Sequence, residues 1–249
     1  MAPRQTDRRC AIAVMAKAPR PGHVKTRLRS VLSPEAATAL SASFLRDITE
    51  NICLAGRRLA IDPWVAYAPA GQEALFDGHV AEGTGLLLAN GAIEAPAGVQ
   101  GFGRCLLHAT RAMLARGHRA AVVLNSDSPT LPTALLVRTA LELARGEGRV
   151  VLGPADDGGY YLLGMTAEHA RLFADIAWST DSVADATRRR AAELGLEMVE
   201  LPTWYDVDDG AALRRLMTAV DHGAYAAPFT RACLRGLAPA KVGLDLAAE

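Results

Sequence analysis

Seven short β-rich runs alternate with longer stretches of helical periodicity along this 249-residue chain, and that alternation leaves few architectures open. The runs are Cys10–Ala16, Pro63–Ala68, Leu86–Ala89, Ala120–Asn125, Arg149–Gly153, Tyr160–Gly164 and Glu197–Leu201. Between them Pro34–Leu59, Phe102–Arg116, Pro132–Arg145, Asp181–Leu194 and Asp209–Val220 repeat apolar residues at helical spacing. A strand followed by a helix returns to the sheet by a crossover, which pairs strands in parallel. The expectation is therefore an α/β fold: a mostly parallel, mixed sheet with helices on both faces. Half of the residues are hydrophobic, enough at this length to bury one core, so a single domain is expected over 10–220. It would lie between a polar N-terminal arm, 1–9, and a C-terminal segment, 221–249, whose short helix at Thr230–Leu237 would close the domain or meet a second copy of the chain as a homodimer.

Composition excludes several classes of partner. Lys and Arg balance Asp and Glu at zero formal net charge, which argues against a nucleic-acid binder. No run of 18 apolar residues occurs, and the polar, Arg-rich start lacks an apolar segment behind it, so no membrane association and a cytoplasmic location are expected. The cysteines Cys10, Cys53, Cys105 and Cys233 are scattered without Cys-x-x-Cys spacing and read as buried small hydrophobes. His108, His118 and His169 lack helical partners and read as structural or surface residues.

Against that neutral background one cationic cluster stands out. The run Ala11–Met15 feeds into Ala16-Lys17-Ala18-Pro19-Arg20-Pro21-Gly22-His23-Val24-Lys25-Thr26-Arg27-Leu28. Two prolines stiffen this loop and a glycine frees one backbone position before a helix begins near Ser33. Lys17, Arg20, Lys25 and Arg27 offer planar forks and mobile point charges, a combination suited to a polyphosphate. Lys25-Thr26 copies the end of a Walker A loop, but Val24 stands where that motif needs glycine, so another kind of phosphate loop is required.

Three acidic segments complete the pattern. Asn125-Ser126-Asp127-Ser128-Pro129 ends a buried run, and strand ends are where open α/β sheets collect ligands. Asp127 suits a Mg²⁺ ion bridging to nucleotide phosphates, or else Asp127 or Ser128 caps the helix after Pro132. Asp156-Asp157-Gly158-Gly159-Tyr160 is an ordinary hairpin signal, or a turn where glycine backbone approaches an acceptor and Asp156 or Asp157 contacts its hydroxyls or the metal shell. Asp206-Val207-Asp208-Asp209 opens a helix; Asp208 is expected to cap it and Asp206 to complete a two-carboxylate magnesium site with Asp127.

Taken together, Lys-x-Pro-x-Pro-Gly-x-x-Lys-Thr-Arg-Leu at 17–28, Ser-Asp-Ser-Pro at 126–129, Asp-Asp-Gly-Gly-Tyr-Tyr-Leu at 156–162, Trp-Ser-Thr at 178–180 and Asp-Val-Asp at 206–208 resemble the DUF2064 family. That family belongs to the GT-A (Rossmann-like) superfamily of nucleotide-diphospho-sugar transferases. It is similar to the nucleotidyltransferases that make the guanylylated precursor of coenzyme F420 and the molybdenum-cofactor dinucleotide.

The resemblance implies that Ala13, Met15 and Ala16 line a nucleoside pocket, with Lys17, Lys25 and Arg27 on the phosphates and Gln100, Gly101 and Gly103 near the base. It implies metal positions at Asp127 and at Asp206 or Asp208 for Mg²⁺ (or Mn²⁺), with Lys25, Arg27 and Asp127 as the catalytic set. Asp157, Gly158, Gly159, Tyr160, Ser179 and Thr180 are the candidates for holding a small-molecule acceptor. Such apparatus serves nucleotidyl transfer from a nucleoside triphosphate to a phosphorylated acceptor, with pyrophosphate leaving, or glycosyl transfer from a nucleotide-sugar. The basic loop suits a triphosphate tail and favours the first; a nucleotide-binding module without turnover is the third reading.

Overall fold

The first apolar run forms β1 (Cys10–Lys17) in a computed structural model of the chain that describes residues 9–221 and 227–237. Nearly all of the expected N-terminal arm, and most of the expected C-terminal segment, lie outside those residues. The remaining strands are β2 (Ile61–Ala68), β3 (Gly85–Leu88), β4 (Ala120–Leu124), β5 (Arg149–Pro154), β6 (Tyr160–Met165) and β7 (Glu197–Glu200). The helices are α1 (Pro34–Gly56), α2 (Phe102–Ala115), α3 (Thr133–Ala144), α4 (Val183–Glu193), α5 (Gly210–Asp221) and α6 (Pro228–Gly236).

The strands form one seven-stranded sheet in the order β3-β2-β1-β4-β6-β5-β7. Every strand pair is parallel except those of β6, which runs antiparallel to both β4 and β5. Pro63 is tolerated inside β2 because the β3 ladder starts only at Trp64, so no partner on that side needs its missing N–H.

Alternate side chains of the sheet enter two different cores. Ile12, Val14, Val65, Val122 and Leu124 face α1, α3, α5 and α6, whereas Ala11, Ala13, Ala66 and Ala121 face the layer of α2 and α4. Phe44 of α1 is fully buried in the first core, so its replacement by alanine should cost about 3–5 kcal/mol. Ser33 starts α1, its Oγ accepting from Ala36 N at 3.2 Å with Pro34 at the first helical position. Buried Asp47 of α1 accepts from the first-turn amides of α6, Phe229 N at 3.1 Å and Thr230 N at 2.7 Å, and so docks α6 on α1.

The topology collects β1, β4, β5 and β7 at their carboxyl ends along one edge of the sheet. The basic loop, Asp127, the acidic turn and the 206–208 segment all emerge there.

Candidate functional site

Local backbone geometry turns the basic loop inward. Gly22 has φ +79°, and Arg29 donates from Nη2 to its carbonyl at 2.5 Å, closing the loop on itself. Val24 and Leu28 are buried and pin the loop to the core, while Lys25 between them sits in the left-handed region at φ +46°. That conformation opens a short 3-10 turn, Thr26–Ser30, and sends the Lys25 side chain beneath the loop, where it is only 4 % exposed. Its Nζ lies 5.0 Å from the centre of the Phe44 ring, a cation–π contact that adds to the pinning.

The ammonium meets two acids from distant parts of the chain. Nζ donates to Val207 O at 2.7 Å, forms an ion pair with Asp127 Oδ1, and lies 3.4 Å from Asp208 Oδ1. Arg27 reaches the other oxygen of Asp208 from solvent, Nη1 to Oδ2 at 3.3 Å. The acids are brought together because the segment after β4 is stitched to the segment before α5. Val207 N donates to Asp127 O at 2.9 Å, and the Ser128 hydroxyl lies 3.0 Å from Tyr205 O and 2.7 Å from Asp206 Oδ1. Asn125 Nδ2 donates to the same Asp206 oxygen at 2.5 Å.

Burial raises the pKa of Asp206 to about 7, helped by the charges of Asp127 and Asp157 and opposed by the Ser128 and Asn125 hydrogen bonds. Burial also raises Asp208, with the Asp127 charge adding to it and Lys25 and Arg27 opposing.

Pro132 occupies the N-cap position of α3 and no side chain caps that helix, so neither Asp127 nor Ser128 does. The expected cap at Asp208 is overturned: Asp209 Oδ1 accepts from Ala212 N at 2.8 Å, one residue later, which leaves Asp208 turned toward Lys25 and Arg27.

A cavity of about 350 Å³ opens against this cluster, a size that admits a small ligand. Its wall combines apolar side chains, among them Met15, Ala66, Ala68, Ala89, Phe102 and Cys105, with the polar and charged groups Lys17, His23, Lys25, Arg27, Asp127 and Asp208. Of the candidate site residues, Met15, Ala16, Lys17, Lys25, Arg27, Asp127 and Asp208 stand in its wall. Ala13 is fully buried one layer down, in the core beneath α2.

At the start of α2 the wall is made by Phe102 and Cys105, while Gln100, Gly101 and Gly103 lie beside it. Gly103 is needed for packing, since a Cβ there would sit 2.8 Å from Phe173 O and 3.1 Å from the Trp178 ring. His23, Phe102 and Cys105 were missed as cavity residues. His23 was detectable from its place inside the basic loop; the other two carry no sequence signal.

The acceptor candidates gather elsewhere. Asp157 Oδ1 accepts from Gly159 N at 2.8 Å, closing the acidic turn locally. Gly158, at φ +87°, packs so tightly on the start of α4 that a Cβ would overlap the carbonyl oxygen of Asp181. Tyr160 buries its hydroxyl without a hydrogen-bond partner among the described residues, and burial drives its pKa well above the usual phenol value. Its ring meets Trp178 edge to face at 6.4 Å, and Trp178 in turn meets Phe102 at 5.6 Å. Ser179 sits at φ +65°, and Thr180 Oγ1 donates to Ala177 O at 2.7 Å. None of the six lies in the cavity wall; the aromatic chain through Trp178 links them to it.

Two carboxylates that already face one cation have the donor chemistry Mg²⁺ prefers, since that ion takes one or two carboxylates and completes its shell with phosphate and water. Among the described residues no group of three or more His, Cys, Asp and Glu gathers as a metal site. The four cysteines are free, and no described helix is long and apolar enough to cross a membrane.

The profile of DUF2064, described as an uncharacterized protein conserved in bacteria, matches residues 53–180. The chain belongs to the DUF2064 family. The match takes in Asp127, the acidic turn and Trp178–Thr180; the basic loop and the 206–208 segment lie outside it. No curated protein is significantly similar in sequence.

Among solved structures, this DUF2064 protein is similar to one from Desulfovibrio desulfuricans G20 assigned as a nucleotide-diphospho-sugar transferase. The two are 27 % identical over 92 % of this chain and 94 % of the other, with a TM-score of 0.75. CMP:2-keto-3-deoxy-manno-octonic acid synthetase complexed with CTP matches at TM-score 0.53 and 11 % identity, over 86 % of this chain and 99 % of the other. A cytidylyltransferase from Leptospira borgpetersenii matches at 0.53 and 10 %, over 97 % and 100 %. At these identities the last two establish the fold alone, one mixed and mostly parallel sheet flanked by helices.

Proposed function

We propose that this DUF2064 protein is a Mg²⁺-dependent nucleotidyltransferase that moves a nucleotidyl group from a nucleoside triphosphate to a phosphorylated small-molecule acceptor, with release of pyrophosphate. The observation that carries this reading is the meeting of a basic loop and two carboxylates in the wall of one cavity that also carries apolar side chains. In this reading the base and sugar pack against Met15, Ala66, Ala68 and Phe102, and the phosphates meet the basic loop.

Each group has a separable task. Lys17 and His23 line the cavity and form no ion pair among the described residues, so their donors are open to phosphate oxygens. Arg27, two-thirds exposed, can leave Asp208 to clamp the departing pyrophosphate. Asp127 and Asp208 would hold the divalent cation, which when bound would offset charge on the phosphate oxygens. An acceptor that already carries a phosphate arrives ionised, so the site needs no general base.

Glycosyl transfer from a nucleotide-sugar is the second reading, favoured by the likeness to the Desulfovibrio protein across almost all of both chains. Thermal unfolding in Mg²⁺ across the nucleoside triphosphates and common sugar nucleotides separates the two, since tight ligands stabilise by mass action. Stabilisation by one triphosphate above its sugar nucleotide is the expected result. The reverse preference would replace nucleotidyl by glycosyl transfer.

A further inference from the structure

We propose that Lys25 is a resident counter-cation of Asp127 and Asp208, which a divalent cation displaces only when it arrives with a polyphosphate. This rests on the reading above that the two carboxylates hold the metal.

The argument starts from donor arithmetic. An ammonium has three N–H donors. All three of Lys25 have takers within the chain: the Val207 carbonyl at 2.7 Å, Asp127, and Asp208 at 3.4 Å. With its side chain only 4 % exposed, Lys25 has neither a spare donor for a phosphate nor a hydration shell to give up. Contact with phosphate therefore requires that it release at least one of these partners.

The loop backbone is poorly placed to move, being fixed by Val24 and Leu28 in the core and by the Arg29 bond to Gly22. The flexible four-carbon stem of lysine can swing without it. Val207 O and Asp127 O, which Val207 N binds at 2.9 Å, belong to the same stitched backbone, so the cradle keeps its shape when Nζ leaves.

A metal ion arriving alone must displace an ammonium whose three donors are already taken, and it offers that ammonium no new acceptor in return. One arriving on a polyphosphate brings with it new oxygen acceptors for Nζ. Lys17 and His23 stand open in the same wall to receive the polyphosphate first. Metal and polyphosphate then favour each other's binding, and by linkage the coupling is reciprocal.

Direct Mn²⁺ binding, followed by electron paramagnetic resonance or calorimetry, tests this without turnover. The proteins are the wild type, Lys25→Met and the double variant Lys25→Met/Asp127→Asn, each with and without inorganic pyrophosphate. The wild type should bind Mn²⁺ alone at least ~10-fold more weakly than Lys25→Met, and pyrophosphate should erase most of that difference. Equal Mn²⁺ affinity of wild type and Lys25→Met, lost on Asp127→Asn, would overturn the counter-cation role while sparing the metal site. Failure of Mn²⁺ to bind either protein under any condition would overturn the metal site and this proposal with it. Should Lys25→Met fail to fold, thermal unfolding of the wild type decides: Mn²⁺ alone must leave the midpoint unmoved and Mn²⁺ with pyrophosphate must raise it. Equal shifts under both conditions would overturn the proposal.

Discussion

The basic loop at 17–28 and the acidic turn at 153–160 emerge from the same edge of one sheet, and both read in the sequence as ligand segments, yet their side chains are committed differently. In the turn, Asp157 is spent on Gly159 N, Asp156 pairs with Arg215 at 2.8 Å, and Gly158 makes room for the carbonyl of Asp181. Along the loop, Lys17 and His23 reach the cavity wall without an ion pair among the described residues, and Lys25 is engaged by partners that a ligand could replace. Glycine and aspartate crowded into a turn mark function only when the chain itself leaves them idle.

If that contrast is right, loop substitutions lose function at constant stability and turn substitutions lose stability first. The largest effect is expected at the acid facing the loop. Asp127→Asn should lower turnover by about 10³-fold, with nucleotide affinity measured without metal changing by less than about 3-fold. A normal rate in this variant would remove the carboxylate pair from the chemistry.

Gly158→Ala is the converse test. With φ +87° and no space beside Asp181, an added methyl should cost about 2–4 kcal/mol, which for a chain of this length lowers Tm by roughly 5–15 °C. An unchanged Tm in a calorimetric scan, together with lost acceptor dependence, would return the turn to the active site.

Smaller and opposite in kind are the effects of opening the loop. Lys17→Ala and His23→Ala should each raise the nucleotide KM by about 5–20-fold and leave Tm within about 1 °C, because neither side chain forms an ion pair among the described residues. The Lys17 effect should shrink as salt rises. A fall in Tm without a change in KM would make these residues structural.

The same contrast explains how much could be read from the chain. Every strand and helix of the sheet was legible, since apolar runs bounded by glycine, proline and acids leave little freedom of period. Errors came where one residue decides. Leu59 extends the apolar pattern of α1 past its true end at Gly56, where the chain must turn to bury Ile61. Asp208 and Asp209 are both good caps, and only the hydrogen bond to Ala212 N shows which one caps α5.

At the site, Lys25 and Asp127 were legible as a charged pair of segments, but their direct contact depends on backbone pairing between Asp127 and Val207, which leaves no pattern in sequence. Much of the apolar wall was illegible for a similar reason: Ala66 and Ala68 of β2, Ala89 after β3 and Phe102 of α2 are far apart in the chain and look like ordinary core residues in each element.

Thr180→Ala carries the smallest effect and sharpens the contrast most finely. The Thr180 hydroxyl donates to Ala177 O at 2.7 Å and lies 2.8 Å from Ser182 Oγ, so it ties the segment of half-buried Trp178 and exposed Ser179 and Thr180 to the start of α4. Loss of one such exposed bond should cost no more than about 1 kcal/mol, or roughly 2–4 °C in Tm. A residue that only holds its loop would change acceptor and nucleotide KM together and by less than about 3-fold. A residue that holds the acceptor would raise acceptor KM alone, by about 10-fold or more, while Tm stayed fixed. Because the aromatic chain Phe102–Trp178–Tyr160 joins this segment to the cavity, the first pattern assigns that chain to packing and the second makes it the border between donor and acceptor.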